Sequence, residues 1–65
     1  MIIIVLQCAI FEEYDCDKLQ NEVNDFLSEN EIIGDDIFNI KTIIANDEEG
    51  KNLYIVVIYY EIELE

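Results

Sequence analysis

From Ile2 to Phe11 the chain reads IIIVLQCAIF, an apolar and largely β-branched run whose one polar side chain is Gln7. Residues of this kind lose χ1 freedom in a helix and pack well on a pleated surface, so the run reads as a strand. It is about half the ~20 residues that a membrane-crossing helix requires, and it is not expected to span a bilayer. Period-two alternation puts Ile2, Ile4, Leu6, Cys8 and Ile10 on one face and Ile3, Val5, Gln7, Ala9 and Phe11 on the other. Both faces of such a strand demand cover.

The polar cluster Glu12-Glu13-Tyr14-Asp15 is expected to end the strand, with Asp15 as helix N-cap and Asp17 favourably placed in the first turn. Cys16, Leu19, Val23, Phe26 and Leu27 then recur at helical spacing, predicting one amphipathic helix to about Asn30. After a connection at Ile32 to Asp36, a second strand is expected from Ile37 to Ala45, with Phe38, Ile40, Thr42 and Ile44 opposite Asn39, Lys41 and Ile43. The turn-rich segment Asn46 to Asn52 predicts a hairpin loop. Leu53 to Leu64 reads as a third strand that becomes charged on one face at Glu61, Glu63 and Glu65.

These elements give an α+β fold: a two-layer βαββ domain covering residues 1–65, with a three-stranded mixed sheet in the order 1-3-2 and one helix on one face, half of a ferredoxin-like arrangement. A strand–helix–strand crossover sets the first two strands parallel, and a hairpin sets the third antiparallel to the second. The third strand, the longest and most apolar, belongs in the middle. The helix is expected to cover Ile2, Ile4, Leu6, Cys8, Phe38, Ile40, Ile44, Tyr54, Val56, Ile58 and Tyr60. That leaves Ile3, Val5, Ile43, Ile55, Val57 and Tyr59 on the other face, more apolar surface than a small monomer usually shows, and these six are the candidate interface of a homo-oligomer. With only 65 residues, self-association is also a route to a larger core.

Sixteen Asp and Glu against three Lys or Arg give a net charge of −13. Phosphate neutralisation by cations is what nucleic-acid binding requires, so direct contact with nucleic acid is disfavoured, as is an anionic membrane surface. A basic protein partner is favoured instead, because opposite charge speeds and orients its approach. In the proposed topology the loop after the first strand and the hairpin lie at one end of the sheet. This gathers Glu12, Glu13, Asp15, Asp17, Asp47, Glu48 and Glu49 as candidate partner-binding residues. Glu29, Glu31, Asp35, Asp36, Glu61, Glu63 and Glu65 collect at the other end. The bland reading of such acids is a solvated face that keeps the protein soluble.

The catalytic inventory is sparse. There is no His and no Arg, and Ser28 and Thr42 are the sole serine and threonine, so no Ser-His or Cys-His arrangement can form. The carboxylates fall where burial would not raise their pKa for acid–base work, and no enzyme activity is expected. Cys8 and Cys16, too few for a disulfide framework, read as reduced and packed thiols. The Asp47-Glu48-Glu49-Gly50 turn fails the calcium-loop register, since Val56 stands where a bidentate Glu is needed. Gly34 and Gly50 build no phosphate cradle. Neither metal nor cofactor is expected. With no basic residue ahead of the first apolar stretch, as a secretion signal would need, the expected location is the cytoplasm. The composition, rich in Ile, Asn, Asp and Glu and free of Pro and Trp, fits a low-GC bacterium or one of its phages.

Five stretches in order, Phe11-Glu12-Glu13, Glu22 to Leu27 after Leu19, Ile37 to Lys41, Asp47 to Gly50 and Ile58 to Glu61, together resemble the short Bacillus sporulation proteins of the Cse type. These are roughly 60-residue products with relatives in phage genomes. The resemblance implies a small cytoplasmic protein and carries no functional residue with it. The sequence thus points to a non-enzymatic acidic binding protein, phage-encoded in one version, that inhibits or modulates a basic nucleic-acid-handling or defence protein as a DNA mimic does. The alternative is a structural or developmental sporulation-type protein that self-associates through its sheet face.

Overall fold

A computed structural model describes residues 1–64; Glu65, the last of the expected acids, lies outside them. Strand β1 (Ile3–Glu13) leads through two residues into helix α1 (Cys16–Glu29), followed by a short 3-10 turn (Gly34–Asp36), strand β2 (Ile37–Asn46) and strand β3 (Asn52–Leu64). The sheet order is β1-β3-β2, with β3 in the middle as expected. Both neighbouring pairs are antiparallel, so the sheet is antiparallel throughout rather than mixed: β1 and β2 run the same way but never touch as a hydrogen-bonded pair. β1 also runs two residues further than its apolar pattern. Glu12 and Glu13 stand in the ladder opposite Ile55 and Tyr54.

Local chemistry explains the helix limits. Asp15 caps the start, its Oδ1 accepting from the Asp17 N–H at 2.9 Å. At the end, the Ile32 N–H donates to the Leu27 carbonyl (2.9 Å) and the Glu31 N–H to the Ser28 carbonyl (3.2 Å). This double bond pattern is a Schellman motif. Its left-handed position, normally glycine, is occupied here by Glu31 at φ 54°, while Ile32 tucks in behind and is buried.

The register decides which face of each strand meets the helix. Odd-numbered β1 residues stand opposite even-numbered β3 residues, from Ile3 with Leu64 to Glu13 with Tyr54. Phe26 of α1 contacts the rings of Phe11 (5.2 Å) and Tyr60 (5.7 Å), both edge-on. The helix side therefore carries Val5, Ala9 and Phe11 from β1 with Val56, Ile58 and Tyr60 from β3. This corrects the expected pairing of faces. Ile3 and Val5 belong to the helix side, and Ile4, Leu6, Cys8 and Ile10 take their place on the open face. Alternation within one strand is blind to which set of a neighbour it joins; the antiparallel register settles that. In β2, Ile40, Thr42 and Ile44 join the helix side as expected. A register shift between Ile37 and Asn39 leaves Phe38 as an extra residue, 71% exposed rather than covered.

The core is small. Among the described residues only Leu19, Ile32 and Ile58 are buried, and only Ile58 is fully enclosed. With just Tyr14 and Asp15 between β1 and α1, the helix must fold back over β1. β2 is left thinly covered, with Ile40 and Ile44 exposed and a groove of about 240 Å³ between β2 and Leu19 and Val23 of the helix.

Candidate functional site

At one end of the sheet the close of β1, the start of α1 and the β2–β3 turn come together. Their meeting point is Tyr14, which lines a 550 Å³ cleft with Asp47, Glu48, Glu49 and Lys51. The Tyr14 phenol, though 55% exposed, is pushed above its ordinary pKa, chiefly by the Asp47 carboxylate facing it, then by partial loss of solvent in the cleft, with Glu12 adding to the effect. A phenolate here would stand among like charges, so the proton is retained.

Each acid in this cluster has its own backbone reason to be there. Asp47 is the architect of the turn: its Oδ1 accepts from the N–H groups of Glu49 and Lys51, each at 2.9 Å. Its carbonyl accepts from Gly50, whose φ of 83° suits glycine. Glu48 and Glu49 are thereby held outward at the tip, where Glu49 pairs loosely with Lys51 (3.5 Å). Asp15 is occupied in capping the helix, and Asp17 sits in its first turn.

Glu12 and Glu13, adjacent in β1, point to opposite faces of the sheet. Glu12 joins the open face. Glu13, on the helix side, meets Glu22 of α1, whose carboxyl is raised above the ordinary glutamate range first by a hydrogen bond with Glu13, then by burial and by the Glu13 charge; Lys18 works in the opposite direction. Lys18 itself lies 4.0 Å from Glu13. The structure thus brings all seven expected acids to one end and adds Tyr14 and Glu22. The signal for Glu22 was its position one turn after Lys18 on the helix; nothing in the sequence links Tyr14 to a turn more than thirty residues away.

The opposite end is acidic as well, with a 480 Å³ cleft lined by Glu31, Asp36, Glu61 and Glu63 around Ile32 and Ile62. The charge is therefore bipolar. Two of the three lysines, Lys18 and Lys51, temper the first end.

Between the ends lies the open sheet face. Ile4, Leu6 and Ile10 of β1 are 62%, 58% and 62% exposed, and Ile43 of β2 is 49% exposed. Ile55, Val57 and Tyr59 of the central strand fill the middle and are half-buried by their neighbours. Lys41, with its Nζ 5.8 Å from the Tyr59 ring centroid, is the face's one basic residue among those described. Cys8 lies on this face and Cys16 at the helix start. Both are free, and both are exposed rather than packed, Cys8 because even-numbered β1 residues turn away from the helix.

No group of three His, Cys, Asp or Glu side chains among the described residues is arranged to hold a metal ion. No helix among them is long and apolar enough to cross a membrane. Comparison with protein-family models, with curated proteins and with solved structures gave no match.

Proposed function

We propose that this protein is a non-enzymatic, cytoplasmic binding protein whose carboxylate-rich end docks on a basic protein, such as a nucleic-acid-handling or defence factor, and occupies the surface that phosphates would otherwise take. The observation that carries this reading is the convergence of Glu12, Glu13, Asp15, Asp17, Asp47, Glu48 and Glu49 from three separate segments onto one end of the sheet. Rigid turn and cap hydrogen bonds at Asp15 and Asp47 support it, because charges held in fixed positions lose less entropy when a partner arrives.

Tagged protein incubated with a low-GC bacterial lysate should retain a basic protein that a salt step releases. The quadruple variant Glu12→Gln, Glu13→Gln, Asp47→Asn, Glu48→Gln should lose it. Retention unchanged by those amides would remove the electrostatic basis of the reading.

The exposed apolar face favours a second reading, a structural or developmental interaction protein of the sporulation type in which the acids serve solubility alone. In that case charge removal leaves function intact and substitution of Val57 abolishes it.

A further inference from the structure

The shape of the chain is unusual for its mass. A compact 7.6 kDa monomer is expected to expose about 4,300 Å² and to have a radius of gyration of about 11 Å. This one exposes 5086 Å², with a radius of gyration of 14.0 Å and extents of 51 × 17 × 14 Å. The surplus, roughly 800 Å², follows from the elongated shape and the thin cover of the sheet, and it is of the order that each partner contributes to a standard protein–protein interface. It is accompanied by a continuous apolar surface on the open face of the sheet.

We propose that this face is a homodimer interface on which a second copy of the chain packs sheet against sheet. Ile4, Leu6, Ile10, Ile43, Val57 and Tyr59 would form the buried centre. Two features favour a second copy over an unrelated partner. The surface is flat and two-residue periodic, so two copies can interdigitate as the inner faces of a sandwich do, with the sheets about 10 Å apart. Its charges are also self-complementary: Lys41 sits among the apolar residues while Glu12, Glu61 and Glu63 lie at the rim, so a two-fold operation offers each lysine an opposite charge on the other copy. Pairing through the outer edge of β1 would leave this face in water. Dimerisation across the face leaves the β2–β3 turn and the start of α1 exposed, so it holds whether or not a basic partner docks there.

The net charge of −13 gives the dimer a distinctive salt dependence. Two such chains repel at long range, and salt screens that repulsion while leaving apolar contact intact. Self-association should therefore strengthen as salt is raised, the reverse of the response expected for a basic partner at the acidic end.

Sedimentation equilibrium of the full chain at low and high salt tests this, with Val57→Glu and Val57→Lys beside the parent protein. The expected result is a monomer–dimer equilibrium that tightens with salt and is weakened at least roughly tenfold by either substitution, whatever the sign of the new charge. Circular dichroism establishes that the variants fold. A second readout leaves the six central apolar residues unchanged: in Cys16→Ser protein, Cys8 should react with a thiol reagent several-fold more slowly as the chain is concentrated, while Cys16 in Cys8→Ser protein keeps its rate. A monomer at every concentration overturns the proposal. So does a dimer in which Cys8 stays fully reactive or the folded Val57 variants associate normally, since the contact would then lie elsewhere, at an edge strand or on the helix side of the sheet.

Discussion

Phe26 of the helix meets Phe11 of β1 ring edge against ring face, 5.2 Å between centroids. That contact fixes which side of β1 the helix sits on. The Tyr60 ring closes the other flank of Phe26 at 5.7 Å, and Ala9, between Phe11 and Gln7 on the same face, leaves room for it. Phe26→Ala removes the keystone of a core with few other members and should cost about 3 kcal/mol. Against a total of roughly 3–10 kcal/mol for a chain this size, that removes from about a third to nearly all of the stability. Phe26→Leu should cost about 1 kcal/mol. Urea unfolding followed by circular dichroism measures both, and equal midpoints for the two variants would contradict the ring contacts.

Glu31 holds a left-handed conformation where the Schellman motif favours glycine. It also places a negative charge beside the negative end of the helix dipole. Glu31→Gly relieves both and should stabilise the protein by about 0.5–1 kcal/mol, seen as a higher thermal midpoint. A lower midpoint would mean that the Glu31 side chain makes a contact worth more than the strain.

Asp47 can be separated into a turn role and a charge role. Asp47→Asn keeps an Oδ1 to accept from Glu49 and Lys51, so stability should change by under about 0.5 kcal/mol while one charge disappears. Asp47→Ala removes the acceptor of both N–H groups, which then turn to water, and should cost about 1 kcal/mol. Chemical denaturation of the pair reads this difference directly.

The acids also set a pH dependence of uncommon sign. Glu22 is raised above its ordinary value by Glu13 and by burial. The folded state then binds its proton more tightly than the unfolded chain does, so its stabilising contribution is present at pH below the ordinary glutamate range and is lost as pH rises through the raised value. General repulsion among sixteen carboxylates acts in the same direction. The thermal midpoint should rise as pH falls from 7 toward 5, and Glu22→Gln should raise the midpoint at pH 7 and flatten the slope. A midpoint that falls steadily over that range in the parent protein would show that the folded state is losing carboxylate contacts instead.

Most of the architecture was legible because its signals are local. Asp15 with its following helical spacing marked a cap, Asn46 to Asn52 marked a turn, and the length and apolarity of Leu53 to Leu64 marked a central strand. The gathering of acids at one end followed from topology alone. The faces were legible only strand by strand. Alternation separates the two sets within β1, yet both are apolar, so neither announces itself as the one beneath the helix, and the pattern alone sets Ile3 and Val5 on the wrong side. The bulge at Phe38 was equally silent, because an apolar residue in an alternating run looks the same whether or not the ladder slips there.

The sequence by itself determined the order of elements, the central place of β3 and the charge of each end, because propensity, capping and net charge act over a few residues. Only the tertiary structure decided which half of β1 is core and which is open face, and that Tyr14 faces Asp47 and Glu13 meets Glu22. The faces and the approach of Asp47 to Tyr14 depend on the register between β1 and β3, a property of two strands whose contacts lie about fifty residues apart in the chain, and the meeting of Glu13 with Glu22 depends on how α1 folds back over β1.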